Sequence, residues 1–384
     1  MQMRLKTLLL SAAAALSLAA APAIADGVKV GLITTLSGGG AGIGADVRDG
    51  FMLALKNAGE AGAQVEVVLE DDQQKPDVAV QIADKMIQSD NVDVLTGIIW
   101  SNLAMAVVPA ATGQGKFYLS SNAAPSALAG SGCNPLYFSV SYQNDNLHEA
   151  AGAYASEKGV KKMFIMAPNY PAGQDSLAGF KRFYTGEVVA EVYTQVGQTD
   201  FAAEIAQIRA SGAEEVFFFQ PGGMGIAFLK QYAESGVDIP LIGPGFSLSE
   251  DILPAVGDAA IGIKNTSHWS TDLDNPANKA FVEGFRADFG RFPSLYAAQA
   301  YDTANLLLSA MAKASPSDPE AFRAALASAE FDSVRGKFGF GPNQHPIQDI
   351  YVLEVEKRDG ELTNKIIGTA MTDRGDAYAE QCQM

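Results

Sequence analysis

The stretch Val92-Asp93-Val94-Leu95-Thr96-Gly97-Ile98-Ile99-Trp100-Ser101-Asn102 changes character part-way along. Residues 92–98 are mostly apolar or β-branched, Asp93 and Gly97 being the exceptions, whereas a strand with one wet face would alternate apolar and polar side chains. Such a run fits a strand buried on both faces, as in a parallel sheet covered by helices. From Asn102 the spacing becomes helical, so this is a strand handing over to a helix at Trp100 and Ser101. The same hand-over recurs along the chain. Strands are expected at 28–34, 65–70, 92–98 and 117–120, then again at 162–167, 188–194, 215–219 and 240–243. Helices are expected at 46–58, 76–89, 102–112, 144–157, 173–183, 201–210, 224–234, 276–289 and 298–314, several with clear stops such as Glu234-Ser235-Gly236 and Phe289-Gly290. The pattern predicts an α/β protein with two Rossmann-like lobes, each built on a parallel sheet.

No short-period repeat or low-complexity linker separates the halves, which points to a chain that crosses between lobes more than once. Crossings are expected near residues 139–141, 267–269 and 346–350. The expected division is residues 26–140 with 268–346 in one lobe, and 141–267 with 347–384 in the other. Three crossover strands make a hinge that permits closure without free tumbling, with a ligand cleft between the lobes.

Residues 1–25 stand apart. Arg4 and Lys6 precede an apolar run from Leu8 to Ala20, and Ala23-Ile24-Ala25 offers a small-x-small cleavage site before Asp26. This reads as an export signal cleaved after Ala25, the apolar run being shorter than the ~20 residues that span a bilayer. The protein is therefore expected in the periplasm, as a monomer. The whole 384-residue chain carries −17, from 27 basic and 44 acidic residues; loss of Arg4 and Lys6 takes this to −19. With 48% hydrophobic residues it is not a disordered chain, and the acidic balance opposes binding to nucleic acid or anionic membranes. Its two cysteines, Cys133 and Cys382, are too few and too far apart for a zinc site or a redox pair, and in an exported protein they are expected to form a disulfide that pins the C-terminal tail.

Catalytic chemistry is poorly represented. The segment Ser37-Gly38-Gly39-Gly40-Ala41-Gly42-Ile43-Gly44-Ala45 contains a G-x-G-x-x-A pattern, with Glu70 and Asp71 ending the next strand where a ribose-binding acid would lie. The loop looks longer than a dinucleotide turn, and an exported enzyme would lack a nicotinamide pool. A flexible loop at the cleft rim is the preferred reading over a dehydrogenase. No nucleophile-elbow or zinc-protease motif is present, and only His148, His268 and His345 could act as bases. His148 is expected on the surface or between the lobes. Asp71-Asp72 and Asp272-Leu273-Asp274 read as turns or caps, the second running into Asn275-Pro276. The chain is expected to be no enzyme and to take no cofactor or metal.

Binding chemistry is better represented. Trp100-Ser101-Asn102 and Ser120-Ser121-Asn122-Ala123 each follow a strand end and carry hydroxyls and backbone N–H groups without Arg or Lys. Such groups at a helix start receive a small carboxylate through N–H dipoles. Aromatic residues gather at equivalent junctions, namely Trp100, Tyr170, Phe246 and Trp269, including both tryptophans of the chain.

In order along the chain, Val30-Gly31-Leu32 leading to Leu36-Ser37-Gly38, Glu70-Asp71-Asp72-Gln73 with Pro76, Gly97 to Ser101, Asp200-Phe201, Gly257-Asp258-Ala259-Ala260, Pro276-Ala277-Asn278 and Tyr296-Ala297-Ala298-Gln299-Ala300-Tyr301-Asp302 form a set. From Val28 to about Lys357 the sequence resembles the periplasmic substrate-binding proteins of branched-chain amino-acid-type ABC importers. The resemblance implies the type I periplasmic binding fold, delivery of a small carboxylate to an inner-membrane ABC permease, and a cleft that closes on the ligand. A receptor that senses a ligand is the alternative role. By position it implies that Ser101 and Asn102, with Ser121, Asn122 and Ala123, hold the ligand carboxylate, that Tyr170 covers it, and that Gln220, Phe246 and Trp269 add walls. Amino-acid binders of this family usually carry an acid in a Gly-Pro-Glu-Gly loop to pair the ligand ammonium. Here the loop reads Gly243-Pro244-Gly245-Phe246. A buried ammonium without a partner is costly, so an aromatic acid is favoured over a branched-chain amino acid unless another acid, such as Asp302, takes that place. The runs Gln220-Pro221-Gly222-Gly223-Met224 and His268-Trp269-Ser270 are similar to those of aromatic-acid binders.

Overall fold

The computed structural model describes residues 27–384, so the expected export signal and its cleavage point after Ala25 lie outside the described residues. Apolar strands alternating with helices give two α/β lobes. In the first, β1 (Val28–Thr34), β2 (Val65–Asp71), β3 (Val94–Thr96), β4 (Phe117–Ser120) and β5 (Tyr137–Ser139) form a sheet in the order β2-β1-β3-β4-β5, with every neighbouring pair parallel. The helices α1 (Ala41–Asn57), α2 (Pro76–Gln88), α3 (Ser101–Gly113) and α4 (Ser126–Ala129) lie between these strands in sequence.

The second lobe opens with α5 (Asn146–Glu157). It continues through β6 (Lys162–Pro168), α6 (Pro171–Phe183), β7 (Glu187–Thr194), α7 (Ala202–Ser211), β8 (Glu215–Phe218), α8 (Gly223–Glu234), β9 (Leu241–Pro244), α9 (Leu253–Val256) and β10 (Lys264–Ser267). The chain then returns to the first lobe as α10 (Pro276–Phe289), α11 (Leu295–Met311) and α12 (Pro319–Ala327). This return is visible in side-chain contacts: Asp288 pairs with Lys56 of α1, and Phe322 meets Phe117 edge to face. Gly50 is needed for it, because a Cβ there would sit 2.1 Å from the Ala297 carbonyl oxygen on α11. Finally β11 (Gly339–Phe340), β12 (Pro346–Arg358) and β13 (Glu361–Arg374) close the second sheet, ordered β11-β12-β10-β9-β8-β6-β7 with β13 alongside β12. The long β12–β13 hairpin is antiparallel, and β12 also runs antiparallel to β10.

Three stretches join the lobes, after β5, after β10 and between α12 and β11. They are knotted by Arg335, whose guanidinium donates to the carbonyls of Val140 and Ser141, to Gln348 Oε1 and to Asp302 Oδ2 at 2.9 Å. Arg335 and Asp302 are both sealed from solvent. Removing one partner of such a pair leaves a buried charge and costs about 3–5 kcal/mol. The tail crosses the same hinge: Asn146 Nδ2 donates to Gly375 O, Asn343 Nδ2 to Asp376 Oδ2, and Tyr378 OH to Asp145 Oδ2. A disulfide between Cys382 and Cys133, with Cα atoms 5.6 Å apart, anchors it to the loop after α4.

Two features differ from expectation. The glycine-rich segment is no flexible loop. It is a single 3-10 turn, Gly38–Gly40, followed at once by α1, which starts five residues earlier than its apolar spacing suggests. Glycine is used for close approach, since a Cβ on Gly44 would lie 1.8 Å from the Thr35 carbonyl oxygen. The strand β10, Lys-Asn-Thr-Ser, has no apolar run at all. Its polar side chains bond inside the lobe, Asn265 Nδ2 donating to Asn364 Oδ1 and the Thr266 hydroxyl to the Leu147 carbonyl.

Candidate ligand-binding site

Strand ends β3 and β4 of the first lobe face strand ends β6, β8 and β9 of the second. Between them lies a small cavity lined by residues of both lobes. On the first-lobe side Ser101 is the first residue of α3, so its N–H and that of Asn102 have no carbonyl within the helix to reach. The Ser101 hydroxyl accepts from Asn144 Nδ2 at 3.1 Å, which leaves its own proton free to donate. Asn144 is in turn held by Asp175 Oδ2 at 2.8 Å and by the Ala124 N–H. Asn122 is fixed by donating to Ile99 O and accepting from the Tyr142 hydroxyl. The Ser121 hydroxyl is buried and has no partner among the described residues. The result is a cluster of oriented N–H and O–H groups at one end of the cavity.

The remaining wall is aromatic. Trp100 and Tyr170 face each other across the lobes with centroids 6.1 Å apart, and Tyr170 stacks on Phe219 at 6.3 Å. Phe246 sits at the centre, 4.8 Å from Tyr142, 6.0 Å from Phe219 and 6.1 Å from Tyr296. Trp100 is oriented by a relay: its indole N–H donates to Thr35 Oγ1, and the Thr35 hydroxyl donates to Asp72 Oδ1 at 2.6 Å. Asp71 is engaged by the Leu36 and Gln73 N–H groups. Of the two acids that could have marked a ribose site, Asp71 therefore holds the turn before α1 and Glu70 pairs with Lys85, while their neighbour Asp72 positions the Trp100 ring.

No Asp, Glu, Lys or Arg side chain is among the residues lining the cavity. Asp175 spends its oxygens on Ser126 and Asn144, and Asp302 is held by Arg335, Ser333 and the Val334 N–H. His148, expected on the surface or between lobes, is buried in the wall, and burial pushes its pKa down to about 3, so it is neutral. Burial likewise holds the Tyr142, Tyr170 and Tyr296 hydroxyls above the usual tyrosine range. The cavity is uncharged, polar at one end and aromatic elsewhere.

Of the residues expected at the site, Trp100, Ser101, Asn122, Tyr170 and Phe246 line the cavity. Asn102 contributes only the backbone position beside Ser101. Ser121 and Ala123 lie just behind the wall, with Ala123 N–H donating to Ile98 O. Gln220 lies between the lining residues Phe219 and Pro221, but its side-chain amide turns away to Thr194 Oγ1. Trp269 is outside the wall: its indole N–H donates to Asn278 Oδ1 at 2.7 Å and its ring meets Phe281, in the packing of α10. Tyr142, Asn144, His148 and Tyr296 line the cavity without having been singled out for it. Tyr142 and Asn144 lie in the first crossing; Tyr142 belongs to no periodic element, and Asn144 was expected to open the helix that begins two residues later, at Asn146.

A family model described as periplasmic binding protein matches residues 27–361. The chain belongs to the periplasmic binding protein family. This binding protein is 33% identical to a Leu/Ile/Val-binding protein homologue of Brucella melitensis, across 95% of this chain and 97% of the relative. Among solved structures it is similar to a solute-binding protein of an ABC transporter from R. palustris in complex with benzoate. The TM-score is 0.88 at 32% identity, covering 93% of this chain and all (100%) of that one. A second R. palustris solute-binding protein, in complex with 4-hydroxybenzoate, matches with a TM-score of 0.85 at 30% identity, over 91% of this chain and 98% of that one. The fold is that of the type I periplasmic binding proteins, and the family is one of transporter solute-binding proteins, which implies a periplasmic location.

Proposed function

We propose that this chain captures a small aromatic carboxylate in the periplasm and delivers it to an inner-membrane ABC permease. The observation that carries the reading is the cavity wall. Aromatic rings cover a space with one polar end, and no acid is available to pair a ligand ammonium. An α-amino acid would bury an unpaired ammonium at a cost of several kcal/mol. A carboxylate needs no counter-charge here, because the α3 N-terminus, the Ser101 hydroxyl and the groups around Asn122 supply donors. The flat ring then lies among Trp100, Tyr170, Phe219 and Phe246. Both lobes contribute, Trp100, Ser101 and Asn122 from the first and Tyr170, Phe219 and Phe246 from the second. A ligand therefore gains its full set of contacts only when the cleft is closed, and it shifts the open–closed equilibrium accordingly. The similarity to two benzoate-class binders supports the same ligand class.

A thermal-shift screen tests this, since a ligand that binds only the native state raises its stability. Benzoate, hydroxybenzoates and phenylpropenoic acids are expected to raise Tm, and leucine, isoleucine and valine to leave it unchanged. Stabilisation by the amino acids alone would defeat the reading in favour of the Leu/Ile/Val-type ligand named for the Brucella relative.

A further inference from the structure

His148 is a polar group set into an otherwise aromatic wall. It lies on α5, four residues beyond Asn144, and its ring is flanked by Phe217 at 5.7 Å, Phe219 at 5.1 Å and Phe246 at 6.0 Å. Its Nδ1 is 3.1 Å from the Ser176 hydroxyl on α6, which fixes the ring plane. The other nitrogen, Nε2, makes no hydrogen bond to the described residues. Nor is it sealed: the buried, unpartnered histidine nitrogens among the described residues are His268 Nδ1 and His345 Nε2, and His148 Nε2 is not one of them. The space that His148 borders is the ligand cavity. An imidazole nitrogen presented to an apolar cavity without a protein partner leaves hydrogen-bonding capacity for the ligand to use.

We infer that His148 is a specificity-determining residue that selects an aromatic acid carrying a ring hydroxyl away from its carboxylate. The inference rests on the aromatic-acid reading of the cavity. A carboxylate bound at Ser101 and Asn122 directs the far edge of its ring toward the second-lobe wall, where His148 sits between Phe219 and Phe246. A phenolic hydroxyl both donates and accepts, so it satisfies Nε2 whichever nitrogen carries the proton. A methyl or hydrogen in the same place leaves Nε2 unpaired when water is expelled. The imidazole is neutral, as its burial requires, so the discrimination is a hydrogen bond and not a charge effect. Ser176 acts through His148 as a positioning residue.

Calorimetric titrations of the full-length mature protein with benzoate, 4-methylbenzoate, 3-hydroxybenzoate and 4-hydroxybenzoate test this. The native protein is expected to favour a hydroxylated acid over benzoate and 4-methylbenzoate by about tenfold, the value of one net hydrogen bond. His148→Phe is expected to bring that ratio to within twofold while leaving benzoate binding intact, and His148→Gln to keep part of the preference. Ser176→Ala, a milder change, is expected to reduce the preference by about threefold. If His148→Phe does not fold, the Gln and Ala variants decide the matter. A preference that survives in all three, or that vanishes in Tyr170→Phe and not in the His148 variants, overturns the inference. Failure of every aromatic acid to bind the native protein would instead overturn the ligand class on which it rests.

Discussion

Replacing Phe246 by Ala strikes the centre of the proposed site. The ring is 4% exposed and touches both the cavity and the rings of Tyr142, His148, Phe219 and Tyr296. Truncating a buried Phe costs about 3–5 kcal/mol, and the lower end is expected here because the new void opens into an existing cavity that water can enter. Two losses weaken the ligand. One aromatic pairing contributes about 1 kcal/mol, and about 40 Å² of ligand surface no longer covered contributes another ~1 kcal/mol at ~25 cal/mol per Å². Together these predict about thirtyfold weaker binding of an aromatic acid. Phe246→Leu keeps much of the volume and is expected to cost less than about 1.5 kcal/mol of stability, with an intermediate affinity. Urea denaturation gives the stability and calorimetric titration the affinity. If Phe246→Ala loses stability as calculated yet binds benzoate within threefold of the native protein, the ring is only packing and the ligand lies elsewhere. If stability is unaffected, the packing described here is wrong.

Other consequences are as direct. Ser101→Ala removes one hydroxyl donor while Asn144 keeps its bond to Asp175, so folding should change little, but affinity for any carboxylate ligand should fall about 10- to 100-fold, a hydrogen bond to a charged group contributing about 1.5–3 kcal/mol. Unchanged affinity in a fluorescence or calorimetric titration would displace the site. Of the two tryptophans only Trp100 lines the cavity, so ligand-induced emission change should persist in Trp269→Phe and disappear in Trp100→Phe; the opposite result would place the ligand beside α10. Glu250 is buried beside Thr363 and Asn364, and burial raises its pKa to about 7 against the donors that oppose it. A raised folded-state pKa gives a contribution that is fully present below the ordinary value near 4.5 and lost as pH rises through 7. Glu250→Gln should therefore be more stable than the native protein by about 3 kcal/mol at pH 8, with the gap shrinking to about 1 kcal/mol at pH 5. A gap that does not vary with pH in urea denaturation would contradict the assignment.

The architecture was legible because its strands are apolar on both faces, which few other arrangements require. Residues 92–102 already hold both the strand end and the helix start that place Ser101. Polar strands were not legible: Asn265 and Thr266 of β10 are paid for by partners, Asn364 and Leu147, some hundred residues away in sequence, and local pattern carries no trace of them. Tyr142 belongs to no repeating element and Asn144 reads as the first residue of the helix expected over 144–157, so nothing in their spacing marks them as cavity walls. Trp269 shows the converse. Its place beside a crossing suggested a ligand contact, but Asn278 on α10 takes its indole N–H and turns the ring into the lobe. Phe246 was legible because a Gly-Pro-Gly turn at a strand end leaves the next side chain directed at the cleft, and its aromatic character set the expected ligand chemistry.

The central claim is that an uncharged, ring-lined cavity binds an aromatic anion by dipoles and stacking without an acid for an ammonium. Paired calorimetric titrations of the mature protein with 4-hydroxybenzoate and with isoleucine test it most directly. The account predicts saturable one-to-one binding of the aromatic acid and no heat of binding for isoleucine; saturable binding of isoleucine with none for the aromatic acid would contradict it.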